Sequence, residues 1–127
     1  MTDAPNAKTT LVVEDEMLFR LEVRDLLEAE GYAVVEASNA AQALERFGDG
    51  VMLVVTDVRM PGPMDGLVLA REVTRRRPDV AVVVVSAQVT PRPGDLPDHV
   101  PFVERPFPES RFRAALDRSE AARTACR

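Results

Sequence analysis

The sequence is poor in cysteine, histidine and lysine, and these shortages limit the kinds of site it can build. Cys126 is the only cysteine among the 127 residues, so the chain can form neither an intramolecular disulfide nor a cysteine-based metal cluster. Such cysteine usage fits a reducing cytosol. His99 is the only histidine, and we expect it at the surface rather than in a metal site. Lys8 is the only lysine among sixteen lysine and arginine residues, so the rest of the chain must use arginine wherever it needs a permanent cation.

Long hydrophobic runs and an excess of positive charge are also missing. The first ten residues contain no apolar core of the kind found in signal peptides. The longest apolar stretch, residues 80–85, is far too short to cross a bilayer. The net charge is −5 and the pI is about 4.9, which argues against nucleic acid as a direct partner. The sequence therefore predicts a soluble cytoplasmic protein without a direct nucleic-acid or membrane partner.

Short apolar runs alternate with helical patterns from one end of the chain to the other. The length of 127 residues and the 46% hydrophobic content fit one domain with a core of its own. Strands are predicted at 9–13, 32–37, 51–56, 80–85 and 100–104. Helices are predicted at 18–31, 40–47, 67–77 and 110–122, with Ser38 or Asn39 as the cap of the second. Apolar strands that alternate with helices indicate an α/β fold with a doubly wound, five-stranded parallel sheet.

The predicted strands end in polar residues that can carry chemistry. Glu14 and Asp15 follow the first strand, and Asp57, Ser86 and Arg105 follow the third, fourth and fifth. Because such sheets bind ligands at the carboxyl ends of their strands, we expect these residues to lie together. Carboxylates are ligands that Mg²⁺ prefers, and a carboxylate can also attack phosphorus to give an acyl phosphate. The metal, a hydroxyl and a cation could then neutralise the phosphoryl oxygens.

Each of these residues has a simpler explanation when it is taken alone. Acidic residues after a strand often cap the next helix or favour its N-terminus, which would account for Glu14 and Asp15. Asp57 could begin a turn, and Ser86 by itself carries almost no information. Only the whole set, in this order and spacing, favours a site.

These motifs resemble those of the response-regulator receiver family of two-component signalling. The matching segments are Leu-Val-Val-Glu-Asp-Glu at 11–16, Val-Val-Thr-Asp-Val-Arg-Met-Pro at 54–61, Met-Asp-Gly at 64–66, Val-Val-Val-Ser-Ala at 83–87 and Arg-Pro-Phe at 105–107. The resemblance runs from about Lys8 to Leu116 and implies a flavodoxin-like receiver fold. We therefore expect a stand-alone receiver domain at 9–118, between an N-terminal tail at 1–8 and a C-terminal helical extension or tail at 119–127.

The resemblance also implies roles for individual residues. Asp57 falls on the phosphoacceptor of the family, and together with Glu14 and Asp15 it falls on the carboxylates that hold Mg²⁺. The main-chain carbonyl of Arg59 falls on a further protein ligand of the metal. Ser86 falls on the hydroxyl that turns toward the phosphate.

Two further positions leave alternatives open. Phe102 falls on the aromatic residue whose rotamer follows phosphorylation, but ordinary core packing explains it equally well. Arg105 stands where the family has the lysine that meets the phosphoryl oxygens. Arginine keeps the charge but is bulkier and planar, and it can grip phosphate through two parallel hydrogen bonds. The replacement of lysine by arginine has two alternative explanations. One is compositional drift from lysine to arginine, and the other is an altered coupling between phosphorylation and the conformational change.

The segment at 87–101 is another departure from the family, because it has prolines at positions 91, 93, 97 and 101. Proline inside a helix removes a hydrogen bond and clashes with the preceding turn. We therefore expect the fourth helix of the family to be short, distorted or absent, which would give a non-standard output surface. The loop at 60–66 is also one residue longer than the commonest form.

The resemblance implies a signalling switch. A histidine kinase or phosphotransfer protein would donate a phosphoryl group to Asp57, and the switch would act on a downstream protein that the sequence does not identify. The alternative is a phosphorylation-independent interaction module with the same fold. Arg105 and the expected loss of the fourth helix favour it, and the acidic trio and Ser86 oppose it. We expect no turnover enzyme. Phosphatases with an aspartate nucleophile have an Asp-x-Asp motif at a strand end, whereas Asp57 is followed by Val58 and Arg59, without a second carboxylate. The oligomeric state stays open.

Overall fold

Five strands and four helices lie along residues 8–125, the part of the chain that the structure, a computed structural model, describes. They alternate up to the fourth strand, which the fifth strand follows without a helix between them. They are β1 (Thr9–Val13), α1 (Met17–Ala29), β2 (Ala33–Ala37), α2 (Ala40–Arg46), β3 (Val51–Asp57), α3 (Gly66–Arg76), β4 (Ala81–Ser86), β5 (Phe102–Glu104) and α4 (Glu109–Ala125). Cys126 and most of the predicted tail at 1–8 lie outside the described residues. Among the described helices, none is long and apolar enough to span a membrane.

The strands form one parallel sheet in the order β2-β1-β3-β4-β5, which confirms the predicted doubly wound α/β fold. The chain first moves outward from β1 to β2 and then crosses back to β3 on the other side of β1. The direction of winding therefore reverses between β1 and β3, and such a switch point leaves a crevice at the carboxyl ends of the two strands. Their register brings Val13 opposite Thr56, so the residues that follow β1 meet the end of β3.

Side chains alternate between the two faces of the sheet and build one core on each face. Leu11 and Val54 point to the face covered by α2 and α3, where they pack with Leu69. Val12 and Val55 point to the opposite face, which α1 and α4 cover. Because helices cover both faces, all six residues of β4 are buried, which explains its uniformly apolar sequence before Ser86.

The ends of the elements differ from the predicted ones by a few residues. Asn39, and not Ser38, caps α2, because its side-chain oxygen accepts a hydrogen bond from the Gln42 amide at 2.8 Å. The predicted strand start at 100 is too early, since Pro101 has no amide hydrogen to donate to the sheet, and β5 begins at Phe102. α4 continues through Ala125, so residues 119–125 of the predicted extension are helical, while the domain boundary at 118 stays a prediction.

Residues 87–101, all of them described, contain turns and bends but no helix. We predicted that the fourth helix of the family is short, distorted or absent, and the structure confirms this prediction because the helix is absent from these residues. Local hydrogen bonds replace the helical ladder, from the Asp95 amide to the Arg92 carbonyl and from the Val100 amide to the Pro97 carbonyl, both at 3.0 Å. Val89 and Leu96 still pack against the core under α2 and α3, so the segment covers the sheet without helical structure.

Candidate functional site

Three carboxylates meet at the crevice between β1 and β3. Glu14 and Asp15 directly follow β1, and Asp57 is the last residue of β3. One oxygen from each of these side chains lies within 4.8 Å of the others, although Asp57 is far from Glu14 and Asp15 in the sequence. The parallel register of β1 and β3 is what produces this cluster.

Glu14 is the buried member of the cluster, with a side chain only 3% exposed. Its Oε2 accepts a hydrogen bond from the Glu16 amide at 3.1 Å, whereas its Oε1 has no hydrogen-bond partner among the described residues. Burial raises the pKa of Glu14 to about 8, with a hydrogen bond and negative charge from Asp57 adding to the rise and the Glu16 amide and Arg105 opposing it. At neutral pH this carboxyl group mostly keeps its proton, and a cation that compensates for the lost hydration would favour its release.

The donor set fits a divalent cation. Oxygen ligands from two or three carboxylates, completed by carbonyl groups and waters, suit Mg²⁺. Oε1 of Glu14 is buried without a hydrogen-bond partner among the described residues, and the raised pKa shows that the charged form of this group is poorly solvated. A hard cation relieves both the repulsion between the carboxylates and the poor solvation of Glu14.

A single cleft of about 180 Å³ contains this cluster. Its lining includes every predicted site residue except Phe102, namely Glu14, Asp15, Asp57, Arg59, Ser86 and Arg105. The cleft is polar and open to solvent at Asp15 and Arg59, both of which are exposed. Such a shape admits a small anionic group together with a metal ion.

The backbone around Asp57 is fixed by the start of α3. The Gly66 amide donates a hydrogen bond to the Val58 carbonyl at 2.7 Å, and a Cβ on Gly66 would lie only 1.8 Å from the Asp57 carbonyl oxygen. Position 66 therefore accepts only glycine without a shift of the backbone. The Val58 amide also donates to Asp57 Oδ1 at 2.7 Å, which orients the carboxylate.

Ser86 is the buried last residue of β4. Its Oγ accepts two weak hydrogen bonds, from the Gln88 amide at 3.3 Å and from the Val89 amide at 3.2 Å. A serine hydroxyl can accept and donate at the same time, so its hydrogen can still point to an acceptor in the cleft. Ser86 thus adds a neutral donor on the side of the site opposite Glu14 and Asp15.

Arg105 adds a buried positive charge to the cleft. Its amide donates to the Ser86 carbonyl at 2.9 Å, which ties the residue after β5 to the end of β4. The side chain is 6% exposed, and its Nη2 lies 3.4 Å from Glu14 Oε1 as an ion pair. The guanidinium carbon also lies 4.0 Å from the ring centroid of Phe19, within the range of a cation–π interaction.

Phe102 lies apart from the cleft. It pairs in register with Val84 and packs, half-buried, against the core on the α2 and α3 face. The sequence leaves two explanations open for Phe102, core packing and a switching role. Its contacts with the described residues are those of core packing, and the switching role stays a prediction.

Sequence reasoning missed two residues that hold the site in place. Phe19 contacts Arg105, and the only signal for it was its position one helical turn after Asp15. Arg20 donates to the Glu14 carbonyl at 2.9 Å through Nη1 and to Glu36 Oε1 at 2.8 Å through Nε. No local pattern identifies Arg20, because its partners come from β2 and from the end of β1.

Comparison with known families gives one match that covers most of the chain. Residues 10–94 match the sequence model of the family described as the response regulator receiver domain. The matched region contains the three carboxylates and Ser86 but ends before Arg105.

Curated relatives carry the similar region as one part of longer proteins. The chain is 41% identical over 88 residues to the sensor kinase CckA of Brucella abortus, which is 67% of this chain and 9% of that protein. It is 34% identical over 124 residues to the transcriptional regulatory protein FixJ of Azorhizobium caulinodans, which is 88% of this chain and 54% of that protein. The chain therefore spans about half or less of the length of these relatives.

Solved structures show the same fold along nearly the whole chain. A response regulator receiver protein from Sinorhizobium medicae superposes with a TM-score of 0.86 at 27% identity, covering 94% of this chain and 99% of that one. The receiver domain of NtrX from Brucella abortus superposes with a TM-score of 0.73 at 28% identity, covering 88% and 98%.

Proposed function

Since the chain belongs to the response regulator receiver domain family, we propose that it is a signalling switch that accepts a phosphoryl group on Asp57 in a reaction dependent on Mg²⁺. The observation that carries the proposal is the cluster of one oxygen each from Glu14, Asp15 and Asp57 within 4.8 Å at the carboxyl ends of β1 and β3. A nucleophile that shares a metal site with two other carboxylates suits phosphoryl transfer, which depends on positioning and charge neutralisation.

In the proposed reaction a carboxylate oxygen of Asp57 attacks the phosphorus of the donor. A bond forms between this oxygen and phosphorus, the bond from phosphorus to the leaving group breaks, and the leaving group departs with the electron pair. Ser86 and Arg105 donate hydrogen bonds to the phosphoryl oxygens. Mg²⁺, held by the three carboxylates and the main-chain carbonyl of Arg59, would supply further neutralisation of their negative charge.

The proposed phosphoryl donor is a histidine kinase or a phosphotransfer protein in the cytoplasm. Family membership and the similarity to a protein named as a sensor kinase support this assignment. The proposed downstream partner is a protein, because the net charge of −5 disfavours the polyanionic backbone of nucleic acids.

The direct test is to incubate the purified chain with Mg²⁺ and acetyl phosphate and to follow its intact mass. We expect a gain of one phosphoryl group that needs Mg²⁺ and is absent from Asp57→Asn, which keeps the size of the side chain. Asp25→Asn is the matched control, because Asp25 is an aspartate of α1 whose side chain is 72% exposed and lies outside the cleft. Lack of a mass gain by the folded wild-type chain in the presence of Mg²⁺ would refute the proposal.

One observation favours a second candidate, a phosphorylation-independent interaction module. Arg105 already lies 3.4 Å from Glu14, so a cation of the protein itself partly neutralises one of the proposed metal ligands. A module of this kind would bind Mg²⁺ weakly or not at all. Calorimetric titration with Mg²⁺ separates the candidates, since a phosphoacceptor must bind the metal to react.

A further inference from the structure

We propose that Phe19 is a positioning residue that fixes the guanidinium plane of Arg105, so that the two residues act as one oxyanion-binding unit for the phosphoryl group. The inference rests on the function proposed above and adds to it the reason why arginine serves in this cleft. Phe19 comes from α1 and Arg105 follows β5, and both residues line the cleft that contains Asp57.

The contact joins an exposed ring to a buried cation. The guanidinium carbon of Arg105 lies 4.0 Å from the ring centroid of Phe19, well inside the 6 Å that defines a cation–π interaction. Phe19 remains 36% exposed, whereas the Arg105 side chain is 6% exposed. A large apolar ring that keeps this much exposure adds little to the hydrophobic core. Its main interaction in the structure is therefore the contact with the guanidinium of Arg105.

The buried edge of Arg105 is incompletely satisfied. Nε and Nη2 are both buried and have no hydrogen-bond partner among the described residues. Glu14 approaches Nη2 to 3.4 Å but does not form a hydrogen bond with it. Nε and Nη2 present their hydrogens along the same edge of the guanidinium, and two parallel donors of this kind match two oxygens of a phosphoryl group.

The Phe19 ring prepares the Nε and Nη2 edge of Arg105 for binding an oxyanion. An arginine side chain has many rotamers, and each hydrogen bond to an oxyanion requires one of them to be selected. The guanidinium lies over the Phe19 ring, and this contact limits the orientations that it can adopt before the oxyanion arrives. Lysine has a compact charge without a plane, so the same ring could not orient it for two parallel hydrogen bonds. Phe19 and Arg105 should therefore depend on each other.

The test compares rates of phosphorylation by acetyl phosphate at saturating Mg²⁺. Phe19→Leu keeps an apolar side chain but removes the ring, and we expect the rate to fall about 3- to 30-fold, the factor that corresponds to a cation–π contact. Phe19→Tyr restores the ring and should recover most of the lost rate. Leu18→Ala is the control, because Leu18 is the neighbouring residue of α1, is 70% exposed and lies outside the cleft.

A double-mutant cycle shows whether the ring acts through Arg105. In the Arg105→Lys background, Phe19→Leu should change the rate less than about twofold, because the plane that the ring orients is no longer there. An equal loss in both backgrounds would overturn the inference, and so would an unchanged rate in Phe19→Leu.

Binding of inorganic phosphate, measured by calorimetry in the presence of Mg²⁺, separates this inference from the proposed function. If wild type gains no phosphoryl group but binds phosphate, and Phe19→Leu weakens that binding, the oxyanion unit stands and the phosphoacceptor function fails. If wild type gains a phosphoryl group and Phe19→Leu behaves like wild type in both measurements, the function stands and the inference fails.

Discussion

At the scale of single residues, Glu14 meets two opposing demands. Folding removes its carboxyl group from water, whereas a metal site needs that group in its charged form. The raised pKa of about 8 expresses this conflict in the metal-free protein. Stability that the proton provides is therefore fully present below the unfolded-state pKa of 4.5 and is lost as the pH rises through about 8.

Glu14→Gln should remove this pH dependence. Without Mg²⁺, we expect the free energy of unfolding of wild type to fall between pH 5 and pH 9, relative to the variant, by a few kcal/mol, on the order of 1.4 kcal/mol per pKa unit. Urea unfolding in the presence of a chelator at both pH values measures the difference. Glu28→Gln, an exposed substitution on α1, is the control. If the free energy of unfolding depends on pH in the same way for wild type and Glu14→Gln, the raised pKa of Glu14 is contradicted.

At the scale of elements, the tightest junction near the cleft joins the start of α3 to the end of β3. A methyl group on Gly66 would overlap the Asp57 carbonyl oxygen. We expect Gly66→Ala to lower the free energy of unfolding by about 2 kcal/mol or more, because the backbone must shift to relieve the overlap. The same shift would move Asp57 and reduce its phosphorylation rate.

Gly48→Ala is the matched control for this junction, since a methyl group on Gly48 meets no atom within 4 Å. Thermal or urea unfolding of both variants is the measurement. Similar stabilities for the two variants would show that α3 does not fix the backbone at Asp57.

The contact between α4 and the start of β2 gives another prediction for elements. The Tyr32 hydroxyl donates to Glu120 Oε2 at 3.1 Å, and burial, together with the charge and hydrogen bond of Glu120, raises the pKa of Tyr32 above its ordinary value of 10.0. This contribution to stability is present below pH 10 and is lost as the pH rises further, because the native state holds the proton more tightly than the unfolded chain.

Tyr32 is the only tyrosine, and the chain has no tryptophan, so the absorbance of tyrosinate reports this one group. We expect its titration to begin well above pH 10 and to move to lower pH in Glu120→Gln, which removes the neighbouring negative charge. Circular dichroism recorded in parallel shows that the protein is still folded. An ordinary tyrosine titration in the folded wild type would exclude the hydrogen bond between Tyr32 and Glu120.

At the scale of the whole molecule, a metal ion should couple the cleft to global stability. We expect Mg²⁺ to bind the folded chain, in which the three carboxylates meet, because the unfolded chain has no such cluster. At a concentration one hundred times its dissociation constant, it should raise the free energy of unfolding by about 2.7 kcal/mol. Asp57→Asn should reduce this gain, and NaCl at equal ionic strength should not reproduce it. Thermal unfolding with and without Mg²⁺ makes the comparison, and equal melting temperatures would argue against the metal site.

The alternation of elements along the whole molecule could be predicted because it depends on local signals. Uniform burial of β4 requires an apolar strand. The four prolines of 87–101 predict that any helix there is short, distorted or absent, because proline breaks a helix interior. The start of β5 was predicted two residues early, because an apolar pattern does not reveal that Pro101 lacks a donor for the sheet. The cap of α2 also stayed open between Ser38 and Asn39, since both residue types can accept the required hydrogen bond.

The sequence by itself determined that the chain forms a doubly wound sheet and that the acidic residues Glu14, Asp15 and Asp57 lie at one edge of it. Both features follow from local patterns, namely hydrophobic periodicity and the residues at the ends of the strands. Only the tertiary structure decided that Glu14 is buried, that Arg105 is its ion-pair partner and that Phe19 lies against the guanidinium. These contacts join Glu14, directly after β1, and Phe19, in α1, to Arg105, directly after β5, which is far away in the sequence. Their existence depends on how the helices and loops pack over the end of the sheet, and no local pattern encodes that packing.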